Sequence, residues 1–197
     1  MIGAMIPDHA QLISRIAQER RVEVADLEQV ERQTLAILVT DASGFTRSAL
    51  QLGDLVALAR IARMQDVIRP CIIDAGGMLV KFEADNSFST YDAPSAAIGA
   101  ALAIHRALAQ DSENAPPGWH LSVGVGVGFG PLIGWQRDVF GAEINLASKL
   151  GEDVAHAGET LVTEATAHAL RGTEYEARVT QAGRLPEPLA LVYYRLR

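Results

Sequence analysis

The stretch Ser122-Val123-Gly124-Val125-Gly126-Val127-Gly128 alternates without a break between valine and glycine. Successive side chains of a strand point to opposite faces, so all the valines fall on one side and all the glycines on the other. The valine face suits a core. The glycine face carries no side chains, so another backbone, a helix or a ligand can approach it closely, helix packing being the commoner use.

Working outward from this strand, Leu35 to Thr40 is an apolar run ending in Asp41, the pattern of a buried strand. Ala42-Ser43-Gly44-Phe45-Thr46 reads as a turn. An amphipathic helix follows from about Arg47 into the seventies, with Leu55, Leu58, Ile61, Ala62 and Met64 on its apolar face. Gly76-Gly77 closes that helix and opens a hairpin of Met78 to Phe82 and Ser87 to Tyr91, with Glu83 to Asn86 at the turn. Pro94 begins an alanine-rich helix to about Leu108, whose inner side carries Ile98, Ala101, Leu102 and His105. Beyond the valine–glycine strand come a strand near Thr160 to Val162, a helix from Glu164 to Leu170, and strands at Glu174 to Thr180 and Leu189 to Leu196. The order strand, helix, strand, strand, helix, strand predicts an α+β fold: a ferredoxin-like βαββαβ core with helices on one face of an antiparallel sheet, extended by a C-terminal helix and strands.

Two segments lie outside this pattern. Residues 8 to about 33 read as helical and polar, and either pack on the domain or form the stump of a dimerising or signalling helix. Asp138 to Leu150 reads as a turn feeding a helix, with Gly141 at the entry and Ile144, Ala147, Leu150 and Val154 at helical spacing. On the opposite stripe Asn145, Lys149 and Asp153 are four residues apart and share a face.

Composition narrows the function classes. The chain has 197 residues, 49% of them hydrophobic and 21% charged, with a mean hydropathy of +0.12, as in globular domains. A net charge of −7 and the lack of a basic run with interleaved aromatics argue against nucleic-acid binding. Cys71 is alone, which points to a reducing, cytoplasmic setting. No apolar run reaches the roughly 18 to 20 residues that span a bilayer, so no direct membrane insertion is expected. Of the 17 basic residues only Lys81 and Lys149 are lysines.

Asp41 and Asp85 stand at the ends of adjacent core strands. Paired carboxylates suit a hard divalent cation, which takes a couple of them together with waters and substrate phosphates. The turn Ala42 to Thr46 offers backbone N–H groups at a helix start, a cradle for phosphate.

Three motifs then resemble one family. Thr40-Asp41-Ala42-Ser43-Gly44-Phe45-Thr46, Gly76-Gly77 with Val80-Lys81-Phe82-Glu83-Ala84-Asp85, and Phe140-Gly141-Ala142-Glu143-Ile144-Asn145-Leu146-Ala147-Ser148-Lys149-Leu150 look like the catalytic domain of class III adenylate/guanylate cyclases. The likeness runs in order from residue 34 to the C-terminus, which makes residues 1–33 an N-terminal helical extension and 34–197 the catalytic domain. It implies metal binding by Asp41 and Asp85, with Ala42 beside them, and two Mg²⁺ or Mn²⁺ ions per site. It implies that Lys81 and Asp138 read adenine, that Asn145 orients the ribose, and that Lys149 stabilises charge on the α-phosphate. Gly44, Phe45 and Thr46 would hold the phosphates, and Arg184 is the candidate for the position where the family has a phosphate-binding lysine on its C-terminal hairpin. The implied reaction is ATP to 3′,5′-cyclic AMP in a homodimer whose two sites are shared between protomers.

Two departures matter. Lys149 stands where the family usually has arginine, replacing a bidentate fork by a point charge. The loss of one such contact costs roughly 1 to 3 kcal/mol, about tenfold to a hundredfold in rate. That predicts a weak enzyme, or in the alternative a module that binds nucleotide or dimerises without turnover. Ala84 stands where the family has glycine, a change that is tolerable unless the backbone there needs positive φ.

Overall fold

The computed structural model describes residues 7–186 and 190–197, with the backbone alone at 45–48. The chain runs α1 (Ala10–Glu19), α2 (Val24–Gln29), β1 (Gln33–Ala42), α3 (Phe45–Leu52), α4 (Asp54–Asp74), β2 (Met78–Glu83), β3 (Asn86–Tyr91), α5 (Pro94–Glu113) and β4 (Val123–Trp135). It continues with β5 (Asp138–Phe140), α6 (Ala142–Ser148), a π-helical segment (Lys149–Val154), β6 (Thr160–Thr163), α7 (Glu164–Ala169), β7 (Val179–Arg184) and β8 (Val192–Leu196).

The strands form one sheet in the order β2-β3-β1-β4-β6-β8-β7, with β5 paired to β4. Strands β1 to β4 are antiparallel throughout, with β1 between β3 and β4. This is the βαββαβ core expected from the element order, and β6, β8 and β7 extend it beyond β4.

Leu35 to Thr40 is buried without interruption because both faces of β1 are covered. Ala36 and Leu38 join Val123, Val125 and Val127 beneath α4 and α5, against Met64, Ile68, Ile98 and Ile104. Leu35, Ile37 and Val39 face the other way, toward Ile144 and Ala147 of α6. The helices are therefore not confined to one face. The glycines of β4 explain how α6 fits on the second face. A Cβ on Gly126 would lie 1.9 Å from the Ala147 carbonyl oxygen, and one on Gly128 would lie 2.5 Å from that of Glu143. Any side chain there would push α6 off the sheet.

Local readings shift in four places. The helix expected from Arg47 is broken by Gly53, whose φ of +84° favours glycine, into α3 and α4. Strand β4 runs on to Trp135 and returns as β5, so Asp138 starts a strand and does not lie in a turn. Helix α5 extends to Glu113. Most of Glu174 to Thr180 is not strand: a 3₁₀ turn occupies Glu176–Arg178 and β7 begins at Val179.

The N-terminal segment is helical, but α1 buries no residue. It is tied to the tip of the β4–β5 hairpin: the His9 N–H donates to the Gly134 carbonyl at 3.1 Å, and Asp8 Oδ1 accepts from the Gln136 N–H at 3.1 Å. Asp26 joins α2 to α1 through Arg15, and the Glu23 N–H and that guanidinium hold its carboxyl below the ordinary range. Among the described residues no helix is long and apolar enough to cross a membrane.

Candidate active site

The hairpin register brings the two predicted metal carboxylates together. Asp41, near the end of β1, pairs with Asn86 of β3, the residue after Asp85. Glu83 pairs with Asn86, which leaves Ala84 and Asp85 as a two-residue loop. Ala84 has φ +52° and is the one loop residue with positive φ, the type II′ pattern that normally takes glycine first. The backbone does need the glycine conformation, and alanine holds it at a cost of about 1 kcal/mol.

Asp41 is half-buried, and its carboxyl is pushed up to about 6, first by burial and then by the charges of Asp85, Glu152 and Asp153. Glu152 was not singled out from the sequence. It comes from the π segment and accepts from Asn86 Nδ2 at 3.1 Å, so the segment is stapled to the loop that carries Asp85. Burial, then the charges of Asp153, Glu83 and Asp85, also raise its carboxyl. No local signal marks a contact between residues 66 apart.

These donors fit a hard divalent cation. Carboxylates held close with their charge uncompensated are relieved by a cation, and the oxygen donors suit Mg²⁺ or Mn²⁺. Among the described residues no three or more His, Cys, Asp or Glu side chains are placed to hold an ion by themselves, so water and substrate oxygens would complete the shell. The Ala42 side chain packs into the α4–α5 core, which leaves its backbone as the only group it can offer a metal. Gly44 has φ +73° and precedes α3, whose first turn carries no side-chain cap. Phe45 and Thr46 have side chains outside the described residues.

Lys81 of β2 and Asp138 of β5 meet. Lys81 Nζ donates to Asp138 Oδ2 at 2.8 Å, lies 2.9 Å from Glu83 Oε2, and sits 4.8 Å from the centre of the Phe88 ring. The bond to Asp138 is the main cause that raises the lysine's pKa. Asp138 Oδ1 accepts from the Val139 N–H at 2.8 Å, so the carboxylate is fixed at both oxygens. The hairpin that delivers it turns through Gln136 and Arg137, both at positive φ.

Helix α6 buries Ile144 and Ala147 and leaves Asn145 exposed. At Lys149 it widens into the π segment, where the Ala155 N–H donates five residues back to the Leu150 carbonyl at 2.8 Å. Gly151 sits on the glycine strand here, where its Cβ would meet Gly126 N at 3.0 Å and Val39 O at 3.1 Å. Lys149 is exposed, and its Nζ donates to Asp153 Oδ2 at 2.5 Å. Glu143, also unforeseen, tightens the helix onto the sheet: its Oε2 accepts from the Phe129 N–H at 3.1 Å and from Thr163 Oγ1 at 2.7 Å. Arg184 is not drawn into this group. It lies exposed on the edge strand β7 and donates to the Ala190 carbonyl of its own hairpin at 3.1 Å.

No protein-family model matches the chain. Two curated relatives do. It is 25% identical over 137 residues to putative adenylate cyclase 3 of Rhizobium meliloti, covering 70% of this chain and 23% of that one. It is 28% identical over 151 residues to an adenylate cyclase of Streptomyces coelicolor, covering 77% and 38%. The chain thus spans well under half the length of either relative. Among solved structures, an adenylate/guanylate cyclase/hydrolase from Silicibacter pomeroyi superposes with a TM-score of 0.71 at 24% identity, covering 85% of this chain and 98% of that one. The adenylyl cyclase CyaB of P. aeruginosa gives 0.68 at 18%, covering 86% and 96%. The guanylate cyclase domain of RhGC from Catenaria anguillulae, solved with GTP, gives 0.69 at 14%, covering 84% and 96%. The chain has the fold of class III adenylate/guanylate cyclase catalytic domains, and the curated relatives it resembles are named adenylate cyclases.

Proposed function

We propose that this domain is an adenylate cyclase, forming 3′,5′-cyclic AMP and pyrophosphate from ATP in a homodimer with shared sites. The observation that carries the choice of ATP is the bond between Lys81 Nζ and Asp138 Oδ2. An ammonium has three N–H groups, and Asp138 and Glu83 engage two of them. The third can donate to adenine N1, while the remaining lone pairs of Asp138 accept from the N6 amine. Guanine presents the reverse pattern at O6 and N1 and is a poorer match.

Asp41 and Asp85, with the Ala42 carbonyl, would hold two Mg²⁺ or Mn²⁺ ions. Bound there, the ions would supply charge neutralisation on the triphosphate and acidify the ribose 3′-hydroxyl. The chain's own part is binding and orientation. The N–H groups at the start of α3 face the phosphates, and Asn145 hydrogen-bonds the ribose. Lys149 places a positive charge at the α-phosphate. Asn145 and Lys149 are exposed, as residues that act on a nucleotide held by a partner subunit must be. Residues 34–197 form the catalytic domain in this reading and 1–33 its extension, in a cytoplasmic protein.

A second reading is a module that binds nucleotide or dimerises without turnover. It is favoured by Lys149 being a lysine whose charge is already engaged by Asp153. Incubation of the purified protein with Mn²⁺-ATP or Mn²⁺-GTP, with cyclic nucleotide as the readout, separates the two. Cyclic AMP in excess of cyclic GMP, lost in Asp41→Asn, is the expected result. A folded dimer that makes neither with Mn²⁺ or Mg²⁺ overturns the enzyme reading.

A further inference from the structure

Arg60, on α4, is 7% exposed. Its Nη2 donates to the His120 carbonyl at 2.9 Å. Nε and Nη1 are enclosed and meet no acceptor among the described residues. Arg63, a neighbour on the same helix, pairs with Asp111, but none of the ion pairs among the described residues includes Arg60. A guanidinium cannot shed its proton inside a protein, so burial without a counter-charge is unfavourable.

The same side chain lines a cleft of about 10 Å³, with Ser43 and Ser122 on the strand side and Ile61 and Met64 on the helix side. That is room for about one water-sized sphere. It admits a halide or one oxygen of a small oxyanion, but not a whole phosphate. Its position also separates it from the proposed nucleotide site. Asp41 and Ala42 are consecutive on β1 and point to opposite faces. Ala42 packs with the α4–α5 core, whereas Asp41 feels the carboxylates of the π segment. Ala42 and Ser43 line the cleft from the start of the turn, and the strand alternation sets the Ala42 side away from that of Asp41.

We propose that this cleft binds one small monoanion against Arg60, either a halide or formate entering by one oxygen. The anion supplies the missing counter-charge and joins α4 to the back of the phosphate turn. It is a site separate from the substrate's, and occupancy stiffens the turn without contributing a reacting group.

The test is titration of the full chain with sodium formate and, separately, sodium chloride, at constant ionic strength in sodium gluconate. The wild type should show a saturable rise in Tm of roughly 3 to 6 °C at tenfold excess over Kd. Arg60→Met should lose that rise, and should be no less stable than wild type in gluconate because it removes an unpaired buried charge. The two salts distinguish an oxyanion from a halide. The Arg60 Nε–H resonance of the wild type, followed by ¹⁵N NMR, should move along the same titration and needs no variant. A stationary resonance with both salts, or an equal rise in Tm in wild type and Arg60→Met, overturns the proposal and leaves a buried water as the partner. Neither readout involves cyclic nucleotide, so this site and the cyclase reading stand or fall separately.

Discussion

Lys81 Nζ donates to Asp138 Oδ2 at 2.8 Å across 57 positions of chain, joining β2 to β5 at the edge of the sheet face that α6 covers. The two side chains are 33% and 28% exposed, so the pair is open enough to water to contribute little to stability, about 1 kcal/mol or less. Its geometry serves presentation: a fixed acceptor next to a donor with one N–H to spare.

Asp138→Ala should therefore change selectivity far more than folding. The ratio of kcat/KM for ATP to that for GTP should fall by about tenfold to a hundredfold, as expected for one unmatched polar contact. Tm should move by no more than about 4 °C. Steady-state kinetics on both nucleotides check this, and an unchanged ratio would remove the base-reading role.

Asp41→Asn should stabilise the metal-free protein while abolishing the response to metal. In the fold the carboxyl is pushed up to about 6, above its ordinary value near 3.8. A raised carboxyl contributes stability that is present below the unfolded pKa and is lost as pH rises through about 6. At pH 7.5 the wild type thus carries a strained negative charge that asparagine removes. Thermal melts with and without Mn²⁺ should show a higher baseline Tm and no metal-induced rise in the variant. A full Mn²⁺ response in the variant would place the metal elsewhere.

Lys149→Arg should raise kcat by about tenfold to a hundredfold with little change in KM, because a bidentate fork gains most in the transition state. The exposed Lys149–Asp153 pair opposes this by no more than about 0.5 kcal/mol. Turnover that stays undetectable in Lys149→Arg, with ATP still bound, supports the non-enzymatic module.

Ala84→Gly should stabilise the domain by about 1 kcal/mol, or roughly 2 to 4 °C in Tm, since glycine holds positive φ without a clash from Cβ. The loop carries Asp85, so the same variant tests whether the alanine strain affects metal affinity. Differential scanning calorimetry and Mn²⁺ titration report the two effects separately.

His105 gives the fold a second pH dependence, of opposite sign. Its Nε2 lies 2.9 Å from Thr160 Oγ1, linking α5 to β6, and burial lowers its pKa. A histidine lowered in the folded state binds protons more readily when unfolded. Its contribution is therefore complete above the unfolded value, about 6.5, and is lost as pH falls through that value. The difference in Tm between wild type and His105→Gln, measured from pH 8 to 5 so that shared groups cancel, should shrink toward the acid end. A difference independent of pH would show that the ring is not held neutral.

The sequence alone determined the parts of this molecule that depend on periodicity and local chemistry. The valine–glycine alternation required a strand with one core face and one face open to close approach, and α6 lies on the latter. The order of the elements was sufficient for the βαββαβ core, and the spacing of Asp41 and Asp85 at strand ends put both at one end of the sheet. Other features depended on tertiary structure. Gly126 and Gly151 let two backbones meet, and that contact lies next to the widening of α6 into a π turn that sets Glu152 beside Asp85. The burial of Arg60 against the His120 carbonyl likewise arises from packing between segments far apart in the chain, whereas the positive φ of Ala84 and the return of β4 as β5 belong to local hairpins whose turn residues carry no glycine to mark them. Periodicity reports which face a residue takes, but not what the opposite face finally meets.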